Sequence, residues 1–189
     1  MQSFIHRLQF FSRFILSPRT IGSITPSSKY LVNALIKPVP WHEIDTIVEL
    51  GAGTGVVTEH IVKKAKPACK TIIFELDAQL RQSLQERFPH HIHCMNAEKM
   101  SDELRQLGVD QVDCIISCLP FACFSPEVRN QILDEVQKVL TPDGLFIAYQ
   151  YSLQMKSTLQ NRFQQVDIHF VPFNLPPAFV YTCRYLKNR

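Results

Sequence analysis

The 189 residues contain no C-x-x-C pair, no apolar run of membrane-spanning length, no internal repeat and no low-complexity tract. The first absence excludes zinc ribbons and dithiol redox centres, whose ligands come at that spacing. Cys114 and Cys118 stand four apart on one face of a predicted strand, with Cys123 in the next loop. No further ligands are evident, so no metal is expected. Free thiols, buried in a reducing compartment, are the expected state of all six cysteines, which include Cys69, Cys94 and Cys183. The second absence excludes a spanning helix. Arg7, Gln9 and Arg13 interrupt the N-terminal apolar stretch and no small-residue cleavage site follows, so a cytoplasmic rather than a secreted protein is expected. Acidic residues are also missing from residues 1–42, which hold Arg7, Arg13, Arg19, Lys29 and Lys37. With a net charge of +3 for the whole chain, the remainder carries −2. A basic arm on a mildly acidic body suits an anionic partner.

What is present is an ordinary globular composition, 46% hydrophobic and 20% charged, in a length that suits one domain. Residues 1–40 read as a helical arm and 41–189 as that domain. In residues 3–16, Phe4, Leu8, Phe11 and Ile15 recur at helical spacing, Phe10 and Phe14 broaden the stripe, and Ser17-Pro18 ends it. Aromatics on one side and Arg7 and Arg13 off the stripe suit docking on an anionic bilayer; a helix packed on the domain's own core has the same pattern. Thr25, Ser27 or Ser28 caps a second helix running to about Ile36, and Pro38 and Pro40 follow.

The chain is organised around Ile47–Thr58. An apolar run from Ile44 to Leu50 reads as a buried parallel strand. It ends in Glu49-x-Gly51-x-Gly53-x-Gly55 and opens into a helical pattern. Glycines let a backbone approach a ligand without a Cβ in the way, and the free amides of the first helical turn face it. A dinucleotide fingerprint would read G-x-G-x-x-G; here the third glycine comes one place early and an acid stands two before the first. After this cradle, strands and helices alternate, the signature of a doubly wound sheet. Strands are expected at 71–74, 91–95, 112–118 and 145–150, and helices at 77–87, 97–107, 126–140 and 152–163. Two last strands, at 165–171 and 179–186, form an antiparallel edge. A second acid, Glu75, closes the second strand, where a carboxylate accepts from ribose hydroxyls.

The element E-x-G-x-G-x-G resembles motif I of class I S-adenosylmethionine-dependent methyltransferases at every fixed position. That resemblance implies S-adenosyl-L-methionine as cofactor and a Rossmann-like α/β fold. The expected sheet is mostly parallel and seven-stranded, with an antiparallel edge strand and helices on both faces. It assigns Glu49, Gly51, Ala52, Gly53, Thr54 and Gly55 to the cofactor, with Glu75 and Leu76 at the second strand and Asn96 and Ala97 at the third. The family's usual Asp-Ala is Asn96-Ala97 here, which keeps an acceptor oxygen and loses the charge; a turn Asn capping the next helix fits equally.

Three more elements narrow the resemblance: Pro26-Ser27-Ser28, Ser117-x-Leu119-Pro120-Phe121, and Asn174-Leu175-Pro176-Pro177-Ala178. With motif I they resemble, in order, the bacterial phosphatidylethanolamine N-methyltransferases. This implies methyl transfer to a lipid amine, with Ser117, Leu119, Pro120, Phe121 and Tyr151 on the acceptor side. It further implies a monomer bound peripherally to the cytoplasmic face of the membrane. Phe121, Tyr151 and Tyr181 are candidates for a cation-tolerant pocket, and Tyr151 and His169 for the base. Ribosomal RNA adenine dimethyltransferases share motif I and an x-L-P-aromatic element. In their N-L-P-Y, however, the Asn and Tyr correspond to Cys118 and Phe121, and neither their C-terminal helical domain nor a basic surface beyond the arm is expected here. A cofactor-binding protein with a decayed site is the third reading, since Cys118 and Asn96 both depart from the patterns.

Overall fold

Apolar strands and capped helices follow one another from Ser28 onward. They are α1 (Lys29–Ile36), β1 (Thr46–Leu50), α2 (Val56–Lys64), β2 (Lys70–Phe74), α3 (Ala78–Arg87), β3 (Ile92–Cys94) and α4 (Met100–Gln106). Then come β4 (Val112–Ser117), α5 (Pro126–Val139), β5 (Leu140–Gln150), α6 (Lys156–Gln160), β6 (Gln165–Val171) and β7 (Ala178–Arg184). This computed structural model describes residues 28–184. The aromatic stripe of residues 3–16 and the loop that follows it lie outside the described residues. The starts of α1, α3 and α5 use side-chain oxygens for their free amides: Ser28 Oγ accepts from Leu31 N, Asp77 from Gln79 N and Leu80 N, and Ser125, followed by Pro126, from Val128 N.

The strands form one sheet in the order β3-β2-β1-β4-β5-β7-β6. All neighbours are parallel except β7, which runs antiparallel to both β5 and β6. The antiparallel strand therefore lies one place in from the edge, and β6 is the outermost strand. Both faces are apolar. Val48 and Leu50 pack with Met100, Leu104, Leu133 and Val136 on one face; Ile47, Cys114, Ile116 and Ile147 pack on the other with Ile61 of α2 and Leu31, Leu35 and Ile36 of α1. Helix α1, set apart in sequence by two prolines, is thus part of the core of the sheet.

Three expectations about local structure change. The strand expected at 145–150 starts earlier, so that residues 141–144 lie inside β5: Leu140 already pairs with Val112, and the register shifts before Cys114. Asp143 sits at φ 65° in this bulge. The expected helix 152–163 shrinks to a 3₁₀ turn (Leu153–Met155) and α6, because the chain must leave the helix to stack Phe163 on Phe146, centroids 5.6 Å apart. Of the six free cysteines, Cys123 is exposed rather than buried, and Cys118 is half-buried. Among the described residues no helix is long and apolar enough to cross a membrane, and no group of three or more His, Cys, Asp or Glu is placed to hold a metal.

Candidate active site

The order of the strands reverses between β1 and β4, which opens a crevice at their C-terminal ends. The glycine loop lies across it. Gly51 N and Ala52 N donate to Phe74 O, tying the loop to β2, and Cys118 N donates to Leu50 O, tying on the loop after β4. Gly51 and Gly53 have φ of 75° and 57°, where L side chains are disfavoured. Their surroundings differ. A Cβ on Gly51 would lie 2.8 Å from Leu119 Cδ2, whereas one on Gly53 would meet nothing within 4 Å. Gly51 thus admits Leu119, and Gly53 faces open space. Gly55 admits α3, since a Cβ there would lie 2.8 Å from Leu84 Cδ2. Ala52 packs inward on Ile73, Leu84 and Phe88. Thr54 is exposed, and its carbonyl accepts from Arg87 Nη1.

Both predicted carboxylates sit at this loop. Glu75 Oε2 accepts from Gly53 N at 2.7 Å and Oε1 from Asp77 N at 2.9 Å. Burial pushes its pKa up, and those two amides pull it back. Glu49 is fully buried beneath the loop. Its Oε2 accepts from Thr58 Oγ1 at 2.6 Å, and its Oε1 is buried with no partner. Burial above all raises its pKa from 4.5 to about 7, against the pull of the Thr58 hydroxyl. Unfolding therefore releases a proton between those pH values. Stability should fall as pH rises from about 4.5 to about 7, by about 3 kcal/mol in all, and this contribution is flat beyond. Glu49→Gln removes the slope, so denaturant melts should show the variant gaining on the wild type at pH 8 and not at pH 4.5. Parallel pH profiles would contradict this.

Two clefts meet at Leu119. The first, with about 410 Å³ of empty space, is lined by Gly51, Glu75, Leu76, Asn96, Ala97 and Leu119 together with Met95, Phe124 and Ile132. It gathers Gly51, Glu75, Leu76, Asn96 and Ala97, half of the residues assigned to the cofactor. Asn96 also caps: its Oδ1 accepts from Glu98 N at 2.9 Å at the start of the 3₁₀ turn Ala97–Lys99. The second cleft, with about 370 Å³, is lined by Leu119, Pro120, Tyr151 and Cys118, with Tyr149 and Gln150. Gln150 Nε2 donates to Leu119 O and Tyr149 O and so fixes the loop after β4. The Tyr149 and Tyr151 rings meet edge to face, 5.7 Å apart.

Other acceptor-side expectations are corrected by packing. Phe121 is in the core, edge-on to Phe124 and Phe146, because the 3₁₀ turn Phe121–Cys123 directs it inward. Ser117 is buried and its Oγ accepts from Leu119 N, which makes it a loop support. Tyr181 is buried, its hydroxyl donating to Ser152 O. His169 is exposed on the edge strand β6 and lines neither cleft. Tyr151 does line the acceptor cleft, but burial raises its pKa above the usual phenol range, as it does for Tyr149. Burial, then the charges of Glu49 and Glu75, likewise raises the Cys118 thiol. These groups hold their protons at neutral pH, so none of them is a general base there. Thr58, bonded to Glu49, and Gln150, bonded to the loop after β4, are the supports of this site that sequence reasoning missed. A polar residue closing the apolar run Phe146–Tyr149 was the available signal for Gln150.

A glycine loop at a switch point, a Cβ-free face on open space, a buried acid with an orphaned oxygen and a second acid at the end of β2 fit a cationic nucleoside cofactor. They fit S-adenosylmethionine: Glu49 is suited to its ammonium end, Glu75 to its ribose, and Asn96 and the apolar wall of Leu76 and Phe124 to its adenine. The fold and site are thus of the class I methyltransferase kind. The comparisons agree. The model of the methyltransferase domain family matches residues 47–144, and the chain belongs to the S-adenosylmethionine-dependent methyltransferases. Ornithine lipid N-methyltransferase of Singulisphaera acidiphila is 33% identical over 184 residues, which cover 95% of this chain and 96% of that protein. A probable ribosomal RNA small subunit methyltransferase A of Methanosarcina mazei is 30% identical over 77% of this chain, but only 52% of that protein is covered. In fold, the chain resembles the 1,6-didemethyltoxoflavin-N1-methyltransferase of Burkholderia thailandensis, solved with S-adenosylhomocysteine. The TM-score is 0.72 at 14% identity, covering 98% of this chain and 89% of that one. It also resembles the N-methyltransferase NodS of Bradyrhizobium japonicum, likewise with S-adenosylhomocysteine: TM-score 0.68, 10% identity, 96% and 99% covered.

Proposed function

We propose that this chain methylates the primary amine of a membrane lipid head group. The observation that carries the reading is the second cleft, aromatic and apolar, which shares Leu119 with the cofactor cleft and has Cys118 where an adenine-binding Asn would stand. The relative of nearly equal length acts, by its name, on ornithine lipid; the elements Ser117-x-Leu-Pro and Asn174-x-Pro-Pro-Ala favour phosphatidylethanolamine. Both lipids offer one primary amine. The same reading has the protein working as a monomer on the cytoplasmic face of the membrane, its basic arm toward anionic lipid.

S-adenosylmethionine, when bound, supplies a methyl group already activated on a sulfonium. The amine, once its ammonium form has given up a proton, would take that methyl on its lone pair, with the neutral thioether as leaving group. The chain's contribution is positioning and water exclusion: Leu119 and Pro120 bound the passage between the clefts, and Gln150 holds that loop. Tyr149 and Tyr151 offer ring faces to the cationic product. Since the thiol and both phenols keep their protons, the amine proton departs to water. The rate should therefore rise with pH toward the amine's own pKa, about 10. A plateau setting in near pH 7 would instead assign the proton to Glu49.

The test supplies labelled cofactor together with vesicles of phosphatidylethanolamine, vesicles of ornithine lipid, or small ribosomal subunits. Label in the lipid extract of either vesicle supports the reading. Label in RNA alone selects the adenine reading that the Methanosarcina relative favours, and label in none selects a cofactor-binding role.

A further inference from the structure

The element Asn174-Leu175-Pro176-Pro177-Ala178 belongs to neither cleft, yet it is firmly built. Asn174 is buried. Its Oδ1 accepts from Ser28 N at 3.2 Å and its Nδ2 donates to Pro176 O at 2.7 Å. The β6–β7 loop is thereby fastened to the N-terminus of α1. On either side of this anchor, Phe173 and Leu175 are 73% and 69% exposed. Tyr30, 48% exposed, lies against Phe173 with centroids 5.3 Å apart. Lys29 Nζ stands 5.4 Å from the Tyr30 ring. Residues 170–178 carry no charge, and residues 28–42 carry no acid. Soluble surfaces seldom concentrate large apolar side chains in this way.

Strand register says where this patch points. Gln150 of the acceptor cleft pairs with Phe179, and Phe179 pairs with Phe170. The β6–β7 loop therefore lies at the same end of the sheet as the cleft. We propose that this rim, with Phe173 and Leu175 at its tip, docks the enzyme on a lipid bilayer. Their side chains enter the acyl region while Tyr30 and Lys29 sit at the head groups, the division that aromatic and lysine side chains adopt at membrane interfaces. Continuity with a cleft that takes a lipid amine is the reason for a bilayer as occupant, so the inference rests on the lipid reading of that cleft. Asn174 acts as a positioning residue that holds the two apolar side chains outward.

The test compares full-length wild type with Phe173→Ser/Leu175→Ser, and with Phe173→Ser alone, on phosphatidylcholine vesicles containing phosphatidylglycerol. Binding is read by co-sedimentation, and melting temperature and S-adenosylhomocysteine affinity are measured without lipid. The double variant should lose vesicle binding by roughly 100-fold or more, since each buried side chain of this size contributes about tenfold or more, while melting and cofactor affinity stay unchanged. The single variant should lose less. Undiminished vesicle binding would overturn the proposal. So would a sharp fall in melting temperature, which would mean that residues 3–16 or another part of the chain cover the patch, or a wild-type dimer that the double variant abolishes. Vesicle binding through these residues without label in lipid would contradict the proposed function and leave the surface standing. Label in lipid with vesicle binding indifferent to both variants would do the reverse.

Discussion

Gly53→Arg should abolish cofactor binding and leave a folded protein. Nothing lies within 4 Å of the Cβ position, so a side chain can leave the backbone there without a clash at its first atom. The left-handed φ of 57° costs a non-glycine residue about 1–2 kcal/mol, which lowers the melting temperature by about 2–8 °C. The long cationic side chain then starts in the space that the loop leaves for the ligand. A loss of affinity of about 100-fold or more corresponds to roughly 2.8 kcal/mol. The check is the rise in melting temperature on adding S-adenosylhomocysteine: present in wild type, absent in the variant. An equal rise in both would put the ligand somewhere other than over this loop.

Glu75→Ala should weaken both the fold and the cofactor. Its carboxylate is the partner of Gly53 N and Asp77 N, so alanine leaves two amides unmet. Each costs about 1–3 kcal/mol if kept dry. The cleft admits water to them, and the loss should stay near 2 kcal/mol, or about 4–8 °C in melting temperature. The loop loses its tie to the end of β2, and the ribose loses its acceptor, so S-adenosylhomocysteine affinity should fall about 100-fold, again roughly 2.8 kcal/mol. Glu75→Gln keeps one acceptor oxygen and should fall between. Urea melts of the three proteins, with and without ligand, check both parts. A variant that is destabilised but binds as well as wild type would make Glu75 a loop support only.

The cradle was legible because it is local. A buried strand, three glycines and a helix start are contiguous, and Glu75 ends the next apolar run. The order of elements was legible from their alternation. What escaped depends on direction or distance. Phe121 aligns with an aromatic at the acceptor, but a short loop has no periodicity to show that its 3₁₀ turn sends the ring inward while Leu119 and Pro120 face the clefts. Thr58 reads as one more helical residue until α2 is laid over β1 and its hydroxyl meets Glu49. Asn174 is 146 residues from Ser28, and nothing in its own segment says that it clamps a loop. Asn96 turned out to line the cleft and cap the turn at once.

Calorimetric titration of the full chain with S-adenosylhomocysteine, its folded state checked beforehand, tests the central claim most directly. The account predicts saturable binding of one ligand per chain, abolished by Gly53→Arg. A folded wild-type protein that gives no binding heat at any temperature tried, and no rise in melting temperature with the ligand, would contradict it.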